Sequence, residues 1–450
     1  PKDFSTASES RSWSEFDAGP MTTDTEGNLW MIRPNAGTVV CLSPVNGAVL
    51  KQISDVVLPR GVSVDNAGRL LVVEGGPDQQ IRIYDIEGAP TLEDTFGVPG
   101  GVYSGTGAQI GKVGPGRLCK PYAVGTDDAG NFYIATLEST LTSYTPDAQV
   151  RWQLNGLPAL DLIVVDPGDE SSLYGLHERY VIDYDKLAGD ETTYVAVTQH
   201  PFKYPDDPRL HILSPIPHAQ TMRRLDGHKF LFVSGQGGAP LSVYRFDPEN
   251  DGEIAIPCGM FAGAWSRTWP ANRPAGPGQW RWQDDDADGH IDSNEFHDVL
   301  STYEEGMFQV DSHGNVWQVN WGGVTTTPKV YIRKYPFQGV NANGVPTWGP
   351  VQTYPVPAPI TTLNNLQYDA DADAMFLFGY TAQYPNDSGE TLFSGRVVCR
   401  YDNWSTSPSL AWEIVLPDWL NPLNNRVHSI NIAGEYLFCA YLRTNMVKVY

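Results

Sequence analysis

The stretches Pro59–Val73, PRGVSVDNAGRLLVV, and Lys120–Ala135, KPYAVGTDDAGNFYIA, share one design. Each has a short apolar run, an Asp-x-x-Gly turn and a second apolar run. Asp caps a tight turn with its own side chain, Gly accepts positive φ, and the flanking runs carry the β-branched and aromatic residues of strands. The unit recurs as MTTDTEGNLWMI from Met21 and MFQVDSHGNVWQV from Met307. Weaker copies start at Leu160 (LDLIVVDPGDESSLYGL), Pro217 (PHAQTMRRLDGHKFLFVS), Leu363 (LNNLQYDADADAMFLFGY) and Asn425 (NRVHSINIAGEYLFCAY).

A third strand-like run follows each copy, among them GTVVCLSP, QIRIYDI, LTSYTP, LSVYRFD, KVYIRKYP, RVVCRYD and MVKVY, and a fourth often comes after. Sets of four antiparallel strands repeated along a chain are the sequence pattern of propeller blades. The expectation is an all-β fold, a single β-propeller domain over residues 1–450 with eight four-stranded blades, or seven if two weak units share a blade. The last unit stops at its third strand, Val447 to Tyr450. The segment Ser12-Trp13-Ser14-Glu15-Phe16 is therefore expected to supply the missing outer strand and close the ring.

With its Pro-x-Gly-like start, Asp-x-x-Gly-Asn turn and apolar second strand, the unit resembles the NHL-repeat propellers. Pro59–Val73 and Pro121–Ala135 match best, and the Gly-rich run GTGAQIGKVGPGRLC before Lys120 is similar to the loop leading into NHL blades. The resemblance implies a fold and no particular activity, because folds of this kind host enzymes and binding scaffolds alike.

Between the unit ending near Met260 and the one starting at Glu305, an insertion (261–303) breaks the rhythm. It contains Asp284-x-Asp286-x-Asp288-Gly289-His290-Ile291-Asp292-x-x-Glu295. This fits the twelve-residue EF-hand calcium loop. Asp284, Asp286 and Asp288 offer alternating carboxylates, His290 its carbonyl, Asp292 a ligand directly or through water, and Glu295 a bidentate carboxylate. Gly289 makes the sharp turn and Ile291 anchors the loop. The expected cofactor is Ca2+. Pro274, Gly276, Pro277 and Gly278 oppose a long entering helix, whereas Ser293 to Leu300 suits a short exiting one. A lone loop of this kind reads as a clamp between blades rather than a sensor. The insertion also holds Trp265, Trp269, Trp280 and Trp282, which either pack it onto the propeller or form a stacking platform for sugar rings.

The 53 acidic against 30 basic residues give a net charge of -23, which repels nucleic acid and anionic membranes. No apolar run is long enough to span a bilayer. The five cysteines, Cys41, Cys119, Cys258, Cys399 and Cys439, show no metal or haem spacing and read as buried small hydrophobes. The start at Pro1 is what a processed export product shows, though a fragment of a longer chain starts the same way, and Asn386-Asp-Ser and Asn403-Trp-Ser match the glycosylation pattern. A secreted or extracytoplasmic location is expected.

Familiar catalytic signatures are absent: there is no GxSxG elbow, His177-Glu178 lacks the second His of HExxH, and Gly107 to Val113 fails the phosphate-loop spacing. Propellers gather residues where their inner strands begin. Aligning the copies puts Arg60, Tyr122, Asp161, His218, Asn364 and Arg426 at that position, with Lys120 and His428 close by. His, Arg and Tyr together could neutralise a carboxylate and move a proton. Two readings follow. One is a calcium-binding module for protein or glycan ligands. The other is a carbohydrate-active propeller enzyme, a polysaccharide lyase or lactonase-like, using His218, Arg60, Tyr122, Arg426 and His428.

Overall fold

Asp311 shows why the repeated turn folds as it does. Its Oδ1 accepts the backbone N–H groups of His313 (3.0 Å) and Asn315 (2.9 Å). Its Oδ2 accepts the Asn315 amide (2.8 Å) and the indole N–H of buried Trp317 (2.9 Å). Asp24 repeats the set with Glu26, Asn28 and Trp30. Asp127 does so with Ala129, Asn131 and the Tyr133 hydroxyl, and Asp65 uses Ala67 and the Arg69 guanidinium instead. One carboxylate thus fastens the turn and the first residues of the strand after it. The glycine three residues after Asp311, Gly314, sits at φ +81°, where a side chain would be strained.

The computed structural model describes residues 17–137, 140–155, 163–211, 217–235, 239–263, 266, 268–276, 278–300, 306–319, 331–386, 395–416, 427–441 and 446–450. They form two compact units. The first comprises Pro1–Leu160 with Tyr194–Thr198 and Pro248–Ile254, and the second Asp161–Thr193, Gln199–Asp247 and Ala255–Tyr450.

In the first unit, three four-stranded antiparallel sheets follow one another in the chain. Their first strands are Met21–Thr23, Pro59–Val64 and Pro121–Thr126, and each sheet keeps its strands in sequence order. Apolar side chains of neighbouring sheets mesh: Trp30, Ile32, Val39 and Cys41 pack with Leu70, Val72 and Tyr84, and Leu71, Val73, Ile81 and Phe96 with Phe132, Ile134 and Tyr144. The Gly-rich run between the second and third sheets is organised by Arg117. Its guanidinium donates to the carbonyls of Lys112, Val102, Ser104 and Gln109.

The second unit continues the pattern. Its sheets begin at Val164–Asp166, Pro217–Leu225, Phe308–Val310, Ile360–Asp369 and Val427–Ala433. A small hairpin, Phe337–Val340 with Pro346–Trp348, interrupts the third of these before its last strand, Gln352–Pro355. Consecutive up-and-down sheets packed face to face are propeller blades, and the fold is an all-β propeller. The sheet beginning at Val427 has three strands among the described residues and ends on Met446–Val449. The segment expected to close it, Ser12 to Phe16, lies outside the described residues. All five cysteines are buried. Among the described residues no helix is long and apolar enough to cross a membrane.

Candidate metal centre

The acidic loop hangs on the edge of the sheet that begins at Pro217. That sheet has six strands because the insertion extends it. Gly259–Phe261 pairs with Arg281–Gln283, and Arg281 and Trp282 pair with His297 and Phe296. Asp284–Glu295 is therefore the connection of an edge hairpin. The exiting helix expected over Ser293 to Leu300 does not form; the chain turns and enters the strand Phe296–His297. Packing decides this, because Phe296 meets Trp280 edge-on at 5.0 Å and joins the cluster of Met260, Ala262, Trp280, Trp282 and Ile291. Propensity over a few residues yields to that burial.

Two carboxylates are interior. Asp284 is fully buried and Glu295 nearly so, while Asp286, Asp288 and Asp292 face solvent. Oxygens of Asp284, Asp286 and Glu295 lie within 4.8 Å of one another, as do those of Asp286, Asp288 and Asp292, and each group could hold a metal ion. Asp286 belongs to both groups. The loop is wound around its acids by backbone N–H donors. Asp288 and Gly289 donate to Asp284 at 3.1 and 3.2 Å, His290 to Asp288 at 2.7 Å, and Asp285 and Asp292 to Glu295 at 2.8 and 3.2 Å. The indole N–H of buried Trp282 donates to Glu295 Oε2 at 2.8 Å.

Burial, and then the charge of Glu295, push the Asp284 carboxyl up to about 7. Burial also raises Glu295, against the opposing hydrogen bonds from Trp282, Asp292 and Asp285. Two interior acids in contact with one carboxylate-rich loop repel each other unless a cation or a proton intervenes.

Residues far away in sequence hold the loop in place. A Cβ at Gly289, where φ is +78°, would stand 2.5 Å from Cε1 of buried Tyr204. The Arg245 guanidinium donates to the Ala287 carbonyl (2.8 Å) and the Asn272 amide to the Ile291 carbonyl (2.5 Å). His290 turns its ring toward Asp206, Nδ1 to Oδ2 3.6 Å. No signal in the sequence marks Tyr204, Arg245 or Asn272, since their roles arise from long-range packing.

Trp280 and Trp282 are buried, and half-buried Trp269 stacks on His211 with centroids 4.8 Å apart. These three rings pack the insertion rather than forming an open platform. Trp265 lies outside the described residues.

The residues aligned at the starts of inner strands share a structural feature. In the sheets that begin at Pro59, Pro121, Pro217, Ile360 and Val427, a register shift in the first strand leaves Arg60, Tyr122, His218, Asn364 (with Thr361) and His428 unpaired. Bulges bend a strand and re-aim the extra residue. In the last sheet the position belongs to His428; Arg426 and Asp161 lie outside the described residues. Lys120 sits just before its strand, at φ +44°. Arg60 and Tyr122 are exposed, and Asn364 is buried.

No protein-family description matches the chain, and no curated protein matches it. Solved structures similar to it include the β-propeller domain of Cps50 (Swd1) from Myceliophteria thermophila, 8% identical over 86% of this chain and 95% of that one, TM-score 0.32. A protein from Lactobacillus plantarum is 13% identical over 89% and 96%, TM-score 0.29. Virginiamycin B lyase from Staphylococcus aureus is 11% identical over 80% and 92%, TM-score 0.23. At such values no inference about activity passes from them to this chain.

Proposed function

We propose that the chain is a secreted or extracytoplasmic calcium-binding β-propeller that serves as a binding or structural module for a protein or glycan ligand. The observation that carries the metal is the convergence of Asp284, Asp286 and Glu295 oxygens, two of the three side chains being interior. An all-oxygen, carboxylate-rich set suits a hard cation, and the spacing with Asp288, the His290 carbonyl and Asp292 suits Ca2+ in an EF-hand-type loop. The loop closes an edge hairpin and has no helix pair to reorient, which supports a structural role for the ion. Extracellular calcium modules bind weakly, at about 10⁻⁴ to 10⁻³ M, a range suited to a location outside the cytoplasm.

Thermal unfolding of chelator-stripped protein with added Ca2+ or Mg2+ tests this. Calcium should raise the midpoint with concentration as mass action requires, and by more than magnesium does. A midpoint indifferent to both ions would overturn it.

A second reading, a carbohydrate-active enzyme, rests on the bulged Arg60, Tyr122, His218, Asn364 and His428. Release of unsaturated products from uronate polymers, lost in His218→Ala, would support it. Binding without turnover on any such polymer would rule it out.

A further inference from the structure

The first unit builds the starts of two adjacent inner strands with unusual care. Leu58 and Lys120 each precede a proline and each hold positive φ, +50° and +44°. That is a strained region for residues with a Cβ, and the position before a proline ordinarily favours extended backbone. After the prolines come the two bulged residues, Arg60 and Tyr122. Gly61 brings their strands together, since a Cβ there would lie 2.5 Å from the Tyr122 carbonyl oxygen. Gly75 seats Arg60: a Cβ at 75 would meet Arg60 Cγ at 2.7 Å and Nε at 3.0 Å.

Gln79, wholly buried, ties the two ends together. Its amide donates to the carbonyls of Gly75 (3.2 Å) and Gly76 (2.7 Å) and its oxygen accepts the Lys120 N–H (2.6 Å). One interior side chain thus fixes both the seat of Arg60 and the approach to Tyr122.

What this framework presents is an exposed guanidinium that no carboxylate of the described residues pairs with, although acids outnumber bases 53 to 30. At the same two strand starts Tyr122 and the apolar Leu58 are exposed, and so is Leu137. Leu137 is tied to Lys120 through its N–H, 3.0 Å from the Lys120 carbonyl. Backbone strain maintained by surrounding structure is a mark of ligand clamps.

The geometry points to a binding site for a uronic acid sugar, with the Arg60 guanidinium on the sugar carboxylate and the Tyr122 ring on its apolar C–H face. A planar guanidinium matches a carboxylate two bonds at a time, and an aromatic face suits the flat side of a pyranose. A single uronate fits better than an acidic peptide, because the net charge of -23 opposes an extended polyanion whereas one carboxylate meets Arg60 at short range. This inference rests on the reading of the chain as a ligand-binding module and supplies its ligand class.

Saturation-transfer NMR with methyl glucuronide, and methyl glucoside as the neutral counterpart, tests the site. Wild-type protein should bind the glucuronide and discriminate against the glucoside. Arg60→Ala and Tyr122→Ala should each weaken glucuronide binding about tenfold or more, and Tyr122→Phe, which keeps the ring, should bind. Gly75→Ala should reproduce the Arg60→Ala loss with its circular dichroism unchanged, because it displaces Arg60 without removing it. Equal binding of both sugars, binding untouched in Arg60→Ala, or no transfer to either sugar overturns the assignment. A calcium response that survives in all four variants shows that such a failure belongs to this site and not to the metal reading.

Discussion

Among the described residues Trp282 is the one side chain that donates to Glu295, and replacing it with Phe isolates that bond. In the native protein Glu295 accepts three N–H groups: the Trp282 indole at 2.8 Å and the backbones of Asp285 and Asp292. A hydrogen bond to a charged acceptor contributes about 1.5–3 kcal/mol, and loss of a partner that orients a metal ligand costs about 10–100-fold in metal affinity. Trp282→Phe should therefore weaken calcium binding by about that factor. It should also lower stability by about 1–3 kcal/mol through the cavity left by the smaller ring.

The two effects separate in a control. Trp280 packs in the same cluster and meets Phe296 edge-on, so Trp280→Phe should lower stability while leaving affinity within about twofold of wild type, the range expected when no ligand partner is lost. Chelator-competition titration gives the affinity, and urea unfolding of the stripped protein gives the stability. Unchanged affinity in Trp282→Phe, or an equal loss in Trp280→Phe, would refute the role assigned to the indole N–H.

Other outcomes follow from the same structure. Gly289→Ala meets both positive φ and the Tyr204 ring 2.5 Å away, so strain and overpacking together should cost about 2–5 kcal/mol in urea unfolding; a neutral variant would contradict the close approach. Asp311→Ala removes four acceptor bonds and orphans the buried Trp317 N–H, for a loss of about 3 kcal/mol. Asp311→Asn keeps one acceptor oxygen and should lose about half as much, so equal losses would contradict the shared-carboxylate turn. The Asn131 side chain and then its backbone N–H hold the Asp127 carboxyl down at about 2. A depressed acid stabilises fully above its unfolded value of about 4. The stability gap between wild type and Asp127→Asn should therefore be constant above about pH 4 and shrink as pH falls toward 2. A gap unchanged at pH 2 would count against the turn's electrostatics.

The turns were readable from sequence because their chemistry is local: Asp, Gly and Asn within five residues make their own bonds, as Asp127, Gly130 and Asn131 do. The same locality exposed the acidic loop. What surrounds the loop was not readable. The pairing of Arg281–Gln283 with Gly259–Phe261 and the contacts from Tyr204 and Arg245 depend on chain segments tens of residues apart. The mistaken exit helix has the same origin, since Phe296 is drawn into a strand by Trp280 and Trp282. Aligning the copies picked out four residues that stand on bulges, Arg60, Tyr122, His218 and Asn364. In the last sheet the bulge falls on His428, and Arg426 lies outside the described residues; a bulge adds a residue that no hydrophobic pattern announces.

The central claim is a calcium ion held by Asp284, Asp286 and Glu295. Isothermal titration of chelator-stripped protein with Ca2+ tests it most directly, in the wild type and in Glu295→Gln. The account predicts saturable calcium heat in the wild type that disappears in the variant while the variant's far-UV circular dichroism stays that of a folded β protein. Absence of calcium heat in the wild type, or undiminished heat in Glu295→Gln, would contradict it.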